Sequence, residues 1–237
     1  MFKKIPVAAL IVFYVIALGI RYLVTKTDLL HTDNFFLQTI LRGSGTTIGA
    51  LIAAAIFGIK IQLTPKGKFP NLLITIILYW VFPIIILLIY PLFTTTMESA
   101  TGAFALLLYA LLEEIGWRGF LRPLLAQAGV SKFANIVIVS ILWYFWHLNF
   151  GFSTGHLVFF ALLLVGSWGI GAVADKTGSF LAVAAFHSLN NIHQAAVPRN
   201  VSDTVPLVIL FAVWLASVLL FDKFTRREKT QVAATTI

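Results

Sequence analysis

Long apolar runs follow one another along this sequence and constrain its fold more than any other feature. Each run approaches the roughly 20 residues that a helix needs to cross the hydrocarbon core of a bilayer. A segment in hydrocarbon must pair its own backbone polar groups, so these runs are predicted to be helices. We predict that helices begin near Ile5, Phe35, Leu72, Thr101, Phe133, His156, Phe180 and Pro206. The predicted fold is therefore an all-α, polytopic transmembrane bundle of about eight helices.

The composition excludes a soluble protein of this size. Hydrophobic residues make up 59% of the 237 residues and charged residues only 11%, and the mean hydropathy is +0.95. A soluble domain needs a mixed, charged surface, which 17 basic and 9 acidic residues cannot provide. The net charge of +8 comes from short basic clusters between apolar runs, so we expect contact with membrane lipid and no nucleic-acid partner.

Loop length and charge predict the domain organisation and the orientation in the membrane. The loops are short and no repeat is visible, which favours one transmembrane domain over 1–237, a motif-bearing core over about 98–197 and a polar tail over 222–237. Lys and Arg are retained on the cytoplasmic side of a membrane. If the amino terminus is cytoplasmic, only four of the 17 basic residues fall outside: Arg21, Lys26, Arg42 and Arg199. Both termini of this multi-pass cell-membrane protein are therefore predicted to be cytoplasmic.

Three ionisable residues follow directly from the apolar run that begins near Thr101: Glu113, Glu114 and Arg118. They could simply end the helix at the membrane surface, but two carboxylates at a helix carboxyl end face the negative pole of its dipole. Glu114 and Arg118 have the i, i+4 spacing of a helical ion pair. Glu113 points about 100° away from Glu114 and has no local partner. A carboxylate in that setting suits the work of a general base.

Two further segments carry polar residues among apolar ones. His147 ends an aromatic run, where it could also belong to the aromatic belt at the membrane interface. His187 and Asn191 lie one helical turn apart, and both can donate hydrogen bonds to an oxygen between them. The alternative for this pair is a bridge between membrane helices, which contributes about 0.6 kcal/mol on average.

Together these three segments resemble the CPBP family, which contains CAAX-type prenyl endopeptidases and bacteriocin-processing membrane proteins. The family pattern is Glu-Glu-x-x-x-Arg, then Phe-x-x-x-His, then His-x-x-x-Asn or Asp, on successive helices. The matching residues are Glu113, Glu114, Arg118, His147, His187 and Asn191. The chain departs at Trp143, where the family usually has Phe, and this change keeps a large aromatic side chain. The resemblance covers residues from about 101 to 197.

The resemblance implies an intramembrane endopeptidase that acts on a membrane-associated or lipidated peptide. Glu113 and His147 would hold and activate the attacking water, and His187 and Asn191 would stabilise the oxyanion. Glu114 and Arg118 would support them. If the enzyme were a metalloprotease, Glu113, His147 and His187 would instead be the ligands of a divalent ion such as zinc, with water in the fourth position. We favour the metal-free mechanism, because the metal site would leave the water in need of another base.

Two other functions fit parts of the same pattern. One is a non-catalytic bacteriocin immunity or partner-binding membrane protein that keeps the motif for structural reasons. The other is a transporter that uses the buried polar groups as a path, although no repeat and no second polar cluster support it.

The predicted topology places the motif residues at different depths. Glu113 and His187 lie roughly 10 Å from the cytoplasmic ends of their predicted helices, whereas His147 lies about 20 Å from its own, at about 1.5 Å per residue. We predict that residues 116–130, broken at Gly119 and Pro123, enter the membrane as a kinked segment and remove this mismatch.

Overall fold

The computed structural model describes residues 7–65 and 97–196, together with positions 212, 215, 216, 219, 220 and 223. No β-strand forms within these residues, which are almost entirely helical. The helical elements in chain order are α1 (Val7–Lys26), α2 (Phe35–Phe57), α3 (Met97–Glu114), a π-helical segment (Ile115–Leu121), α4 (Arg122–Gln127), α5 (Lys132–Trp146), α6 (Thr154–Thr177) and α7 (Phe180–Ala196).

The predicted all-α class is confirmed, and six of the predicted helices are observed as α1, α2, α3, α5, α6 and α7. The helices predicted near Leu72 and Pro206 and the tail over 222–237 lie outside the described residues, apart from the six single positions, all of which are helical. α1, α2 and α6 are each long and apolar enough to cross a membrane. Large apolar side chains lie exposed along them, including Val15 and Leu157. The chain is therefore a membrane protein, because only lipid can cover such a surface.

Glycines in α2 bring three helices into close contact. A Cβ atom on Gly45 would lie 2.7 Å from the carbonyl oxygen of Ala17 in α1, and one on Gly49 would lie 2.5 Å from that of Phe13. Gly43 faces the other way, where a Cβ would lie 2.8 Å from the carbonyl oxygen of Tyr109 in α3. Small residues allow membrane helices to approach at backbone distance. These contacts place α2 between α1 and α3.

The helical run that begins with α3 continues past its charged residues. The chain remains helical from Met97 through the π segment to Gln127, which places Glu113 near the middle of this run. Glu113 is then roughly 21 Å from the end at Gln127, and His147 is roughly 22 Å from the start of α5, at about 1.5 Å per residue. The chain stays helical through Gly119 and Pro123, so no loss of helix occurs there. This continued helix places the two motif residues at similar distances from the loop between α4 and α5, and the kinked entry into the membrane stays a prediction.

The π segment is held from two sides. At its start, the hydroxyl groups of Thr46 and Thr47 both donate to the carbonyl of Leu112, and Gly116 leaves the room that Thr46 occupies. Near its end, Pro123 has no N–H to offer the carbonyl of Gly119, four residues earlier.

An extended strap over residues 59–65 takes up that free carbonyl. The backbone N–H of Gln62 donates to Gly119 over 2.9 Å. The strap continues to Thr64, which pairs with the turn between α6 and α7 around Ser179. The sequence rule that Pro breaks a helix fails here because a distant segment satisfies the group that Pro123 leaves unpaired.

Candidate active site

The adjacent carboxylates of Glu113 and Glu114 are both fully buried but face different helices. Glu114 Oε1 accepts a hydrogen bond from Arg118 over 2.9 Å and lies 2.7 Å from Nδ1 of His187 on α7. Arg118 also donates to the hydroxyl of Ser167 on α6. The i, i+4 ion pair expected from the sequence is present, and it continues across α7. Glu114 therefore ties three helices together through charged hydrogen bonds.

Glu113 points towards α5, where Trp143 is its hydrogen-bond donor. The indole N–H of Trp143 donates to Glu113 Oε2 over 2.8 Å, while Oε1 has no hydrogen-bond partner in the described part of the chain. No sequence pattern predicted this contact, because the two residues lie 30 positions apart and Trp143 was interpreted only as a large aromatic side chain. Oε2 of Glu113 is therefore held by a hydrogen bond, and Oε1 can accept one from a bound molecule.

The ring of Trp143 lies at the centre of the motif residues. Its centroid is 5.1 Å from the ring of His187 in an edge-on arrangement and 5.8 Å from the ring of His147. The guanidinium of Arg118 lies 4.6 Å from the indole centroid, a cation–π distance. Three of the predicted motif segments therefore meet around one side chain. The departure from the family pattern falls at the position that joins them.

His147 is the residue at which α5 ends. Its Nδ1 lies 2.7 Å from the carbonyl oxygen of Trp143, so Nδ1 carries the proton of a neutral ring and Nε2 keeps a free lone pair. The next residue, Leu148, has a φ of 54°, in the left-handed region where non-glycine residues are uncommon. The chain reverses there, and His147 remains at the end of the helix with Nε2 available to a bound molecule.

α7 carries His187 and Asn191 one turn apart, as predicted. With Nδ1 of His187 bonded to Glu114, Nε2 is the ring atom left for a ligand. The Nδ2 atom of Asn191 is buried and has no partner within the described ranges. An amide N–H₂ group can only donate hydrogen bonds, so Asn191 offers a donor that the protein itself does not use.

Two site residues were missed by the sequence analysis. The phenol of Tyr109, one turn before Glu113 on α3, lies between the carboxylate of Glu113 and the guanidinium of Arg21. Glu113 therefore does have a local neighbour, contrary to the prediction. Arg21 was assigned to an outer loop, but it lies in the last two turns of α1, over the ring of Trp146 at 4.4 Å. The i, i+4 spacing of Tyr109 and Glu113 could have indicated the first contact, but nothing local indicates the second.

Unpaired buried polar atoms concentrate in this site. In the described part of the molecule, four motif residues each have one buried polar atom without a hydrogen-bond partner: Glu113 Oε1, Glu114 Oε2, Arg118 Nε and Asn191 Nδ2. Leaving a buried donor or acceptor unpaired costs about 1–3 kcal/mol. Such groups bind water or substrate readily, because a ligand recovers that energy. The distribution makes this interior the candidate binding site of the described part of the chain.

The same residues give little support to a metal centre. Over 7–65 and 97–196, no three His, Asp or Glu side chains lie close enough together to hold one metal ion. Glu113, His147 and His187 surround Trp143, but they do not come together as a three-ligand group in the described ranges. The arrangement fits a zinc ion poorly, and we derive no catalytic step from one.

The fold and the site define a helical membrane protein with two carboxylates, two imidazoles and an amide in an apolar interior. Residues 95–193 match the family model of the type II CAAX prenyl endopeptidases, described as Rce1-like. The match runs from just before α3 into α7, includes all six motif residues, and supports the similarity to the CPBP family. The resemblance inferred from the motifs is confirmed. No curated protein matches the chain.

Proposed function

We propose that this protein is an intramembrane endopeptidase that uses Glu113 as the general base. The observation that carries the proposal is the asymmetric environment of Glu113: Oε2 accepts from Trp143, and Oε1 is buried without a partner among the described residues. The matched family is one of membrane proteases. Neither a structural bridge nor an immunity scaffold requires a buried carboxylate oxygen to remain free.

In the proposed reaction, a water molecule lies between Glu113 Oε1 and His147 Nε2. Glu113 removes a proton as the water oxygen attacks the carbonyl carbon of the scissile peptide bond. The new oxyanion accepts hydrogen bonds from Asn191 Nδ2 and from His187 Nε2, when that ring carries both protons. Glu113 then gives the proton to the leaving amine as the C–N bond breaks. The products are a carboxylic acid and an amine, and Glu113 returns to its starting state.

Glu114 and Arg118 have a supporting role in this proposal. They hold His187 through its Nδ1 atom, which fixes the orientation of the ring. A carboxylate bound to the far nitrogen of an imidazole is a common way to fix its tautomer and position. The two neighbouring acids thus have separate tasks: one reacts and the other positions.

The substrate class follows from the location and from the family description. The site lies inside a membrane protein, and the description of the matched family names CAAX prenyl endopeptidases. We propose a membrane-associated or lipidated peptide, and a prenylated carboxyl-terminal peptide is the first probe to use.

The test is cleavage by the purified full chain in detergent micelles. The probe is a farnesylated CAAX-type peptide with a fluorophore and quencher on either side of the predicted bond. We expect cleavage by the wild-type protein and a loss of about 10²–10⁴-fold in Glu113→Gln, the range for removal of a general base. Asp33→Asn makes the same chemical change on an exposed loop carboxylate and should leave the rate unchanged.

A second measurement covers substrates other than the probe. Membrane peptides from cells that express the wild-type chain are compared by mass spectrometry with those from cells that express Glu113→Gln. If the probe remains intact and the two peptide sets are the same, the peptidase proposal is wrong. A phenotype that survives Glu113→Gln would instead favour the immunity or partner-binding function.

We also propose one transmembrane domain with both termini in the cytoplasm. The chain has no cysteine, so single introduced cysteines can be labelled without background. A membrane-impermeant maleimide added outside intact cells should label Asp33→Cys, in the loop between α1 and α2, and not Lys132→Cys at the start of α5. The reverse pattern would invert the proposed orientation.

A further inference from the structure

A partly buried arginine close to the candidate base has no assigned role in the family motif. Arg21 lies in α1, outside the matched region of 95–193, and it was used above only to predict the orientation of the chain in the membrane. An Arg within a membrane helix costs at least about 2.5 kcal/mol near the bilayer centre and is usually paired or functional. Its position therefore requires an explanation.

Two neighbouring helices fix the position of Arg21. The indole N–H of Trp146 donates to the carbonyl of Ala17, one turn earlier on α1, and the Arg21 guanidinium lies 4.4 Å above the ring of Trp146. From the other side, one guanidinium nitrogen donates to the carbonyl of Arg42 on α2 over 3.1 Å. The side chain is therefore held towards the interior by α5 and α2 rather than extended along the membrane surface.

Tyr109 links this guanidinium to Glu113. Its phenol is close to both groups, and Gly43 on α2 supplies the space, since a Cβ there would lie 3.0 Å from the Tyr109 ring. Arg42 and Gly43 are adjacent in α2, so one short stretch of α2 positions both Arg21 and Tyr109. The order from α1 to the site is Arg21, Tyr109 and Glu113.

Charges on both sides of the site act on the carboxylate of Glu113. Glu114 is paired with Arg118 at 2.9 Å, and Glu113 interacts electrostatically with His187 and, more weakly, with Arg21. Arg21 lies on the Glu113 side of the site and acts electrostatically on Glu113, Tyr109 and His147. Two ions in a low-dielectric interior are tolerated far better as a pair than singly.

We propose that Arg21 is a positioning residue for the candidate base: through Tyr109 it supplies the compensating positive charge and fixes the carboxylate of Glu113 beside His147. The expected effect on kcat rests on the proposed peptidase function. The pairing of Arg21 with Glu113 does not depend on that function. It extends the site beyond the family motif to the first helix of the chain.

The pairing is tested by a double-mutant cycle on thermal unfolding of the full chain in detergent micelles. Arg21→Gln should lower the midpoint, because it leaves a buried carboxylate without its cation. In the Glu113→Gln background the same change should lower the midpoint much less. Equal shifts in the two backgrounds would overturn the proposed pair. This measurement needs no substrate, so it stands even if the protein fails to cleave any peptide.

The kinetic test uses the farnesylated CAAX-type probe. Arg21→Gln should reduce kcat by about 100-fold, the effect of misplacing a reacting group by about 1 Å, with little change in KM. Arg21→Lys should recover part of the loss, which a purely structural role would not produce. Lys26→Gln removes the same charge from an exposed position on α1 and should behave as the wild type.

If Arg21→Gln does not fold, Tyr109→Phe provides the second variant, since it removes only the phenol oxygen that links the two ions. It should lower kcat by about 10-fold, a loss in the range for a hydrogen bond to a charged group. An unchanged kcat in Tyr109→Phe would show that Arg21 does not act on Glu113 through Tyr109 and would overturn the proposal.

Discussion

Two neighbouring carboxylates of one helix lie in regions of very different character. On the Glu114 side, Arg118 and His187 engage one carboxylate oxygen in short hydrogen bonds, and the side chains are at most 7% exposed. On the Glu113 side, the indole N–H of Trp143 donates a hydrogen bond and the Tyr109 phenol lies close to the same carboxylate. The neighbours Tyr109, His147 and Arg21 are only partly buried. The first region is built for rigidity, and the second keeps capacity for a ligand. A rotation of about 100° around a helix separates the acid of the ion pair from the acid proposed as the base.

The largest expected effect distinguishes the two acids by stability. Glu114→Gln leaves the fully buried Arg118 without its counterion, so we expect a loss of about 3–5 kcal/mol in the free energy of unfolding. Glu113→Gln should lower stability clearly less, because Arg21 is partly exposed and keeps its contact with Trp146. Thermal or denaturant unfolding in micelles measures both. A larger loss for Glu113→Gln would reverse the assignment of the two regions.

The next effect sharpens the role of Trp143 within the reactive region. Trp143→Phe keeps the aromatic wall but removes the N–H that fixes Glu113. A hydrogen bond to a charged group is worth about 1.5–3 kcal/mol, so kcat should fall by about 10-fold or more. Trp117→Phe is the matched control, since the indole N–H of Trp117 has no partner within the described residues. An unchanged kcat in Trp143→Phe would show that Trp143 acts only as a large aromatic side chain beside His147.

A smaller effect tests whether only the reactive region depends on α1. Gly45→Ala places a Cβ against the carbonyl of Ala17, which forces α1 outwards at a cost of about 1–3 kcal/mol. Because Arg21 reaches the site from α1, we expect a several-fold fall in kcat as well as lower stability. Gly19→Ala has nothing within 4 Å of the added Cβ and serves as the control. Loss of stability with full activity would separate α1 from the chemistry.

The smallest expected effect concerns metal. If Glu113 acts as the base, incubation with EDTA or 1,10-phenanthroline should leave the cleavage rate within about twofold of the untreated enzyme, because the proposed proton transfer uses side chains alone. Loss of activity that zinc restores would favour Glu113, His147 and His187 as ligands instead. In that event the two regions would still differ, but the free oxygen of Glu113 would bind an ion and not a proton.

Local spacing allowed much of this molecule to be predicted. The apolar runs predicted the six observed long helices, since a run of about 20 apolar residues has few alternatives to a membrane helix. The Glu114–Arg118 pair followed from its i, i+4 spacing, which is a property of any helix. In each case the interaction is fixed within a few residues of sequence.

Helix packing decided the rest. The chain brings Trp143 to Glu113 across 30 positions and His187 to Glu114 across 73, and Arg21 reaches the site from the first helix. No periodicity encodes such contacts, because they depend on how the helices pack and on how far each one extends. The continuation of α3 through Pro123 is the clearest case, since the strap at Gln62 satisfies the carbonyl that proline leaves free. The sequence by itself determined which residues are costly to bury, and only the tertiary structure decided which of them meet.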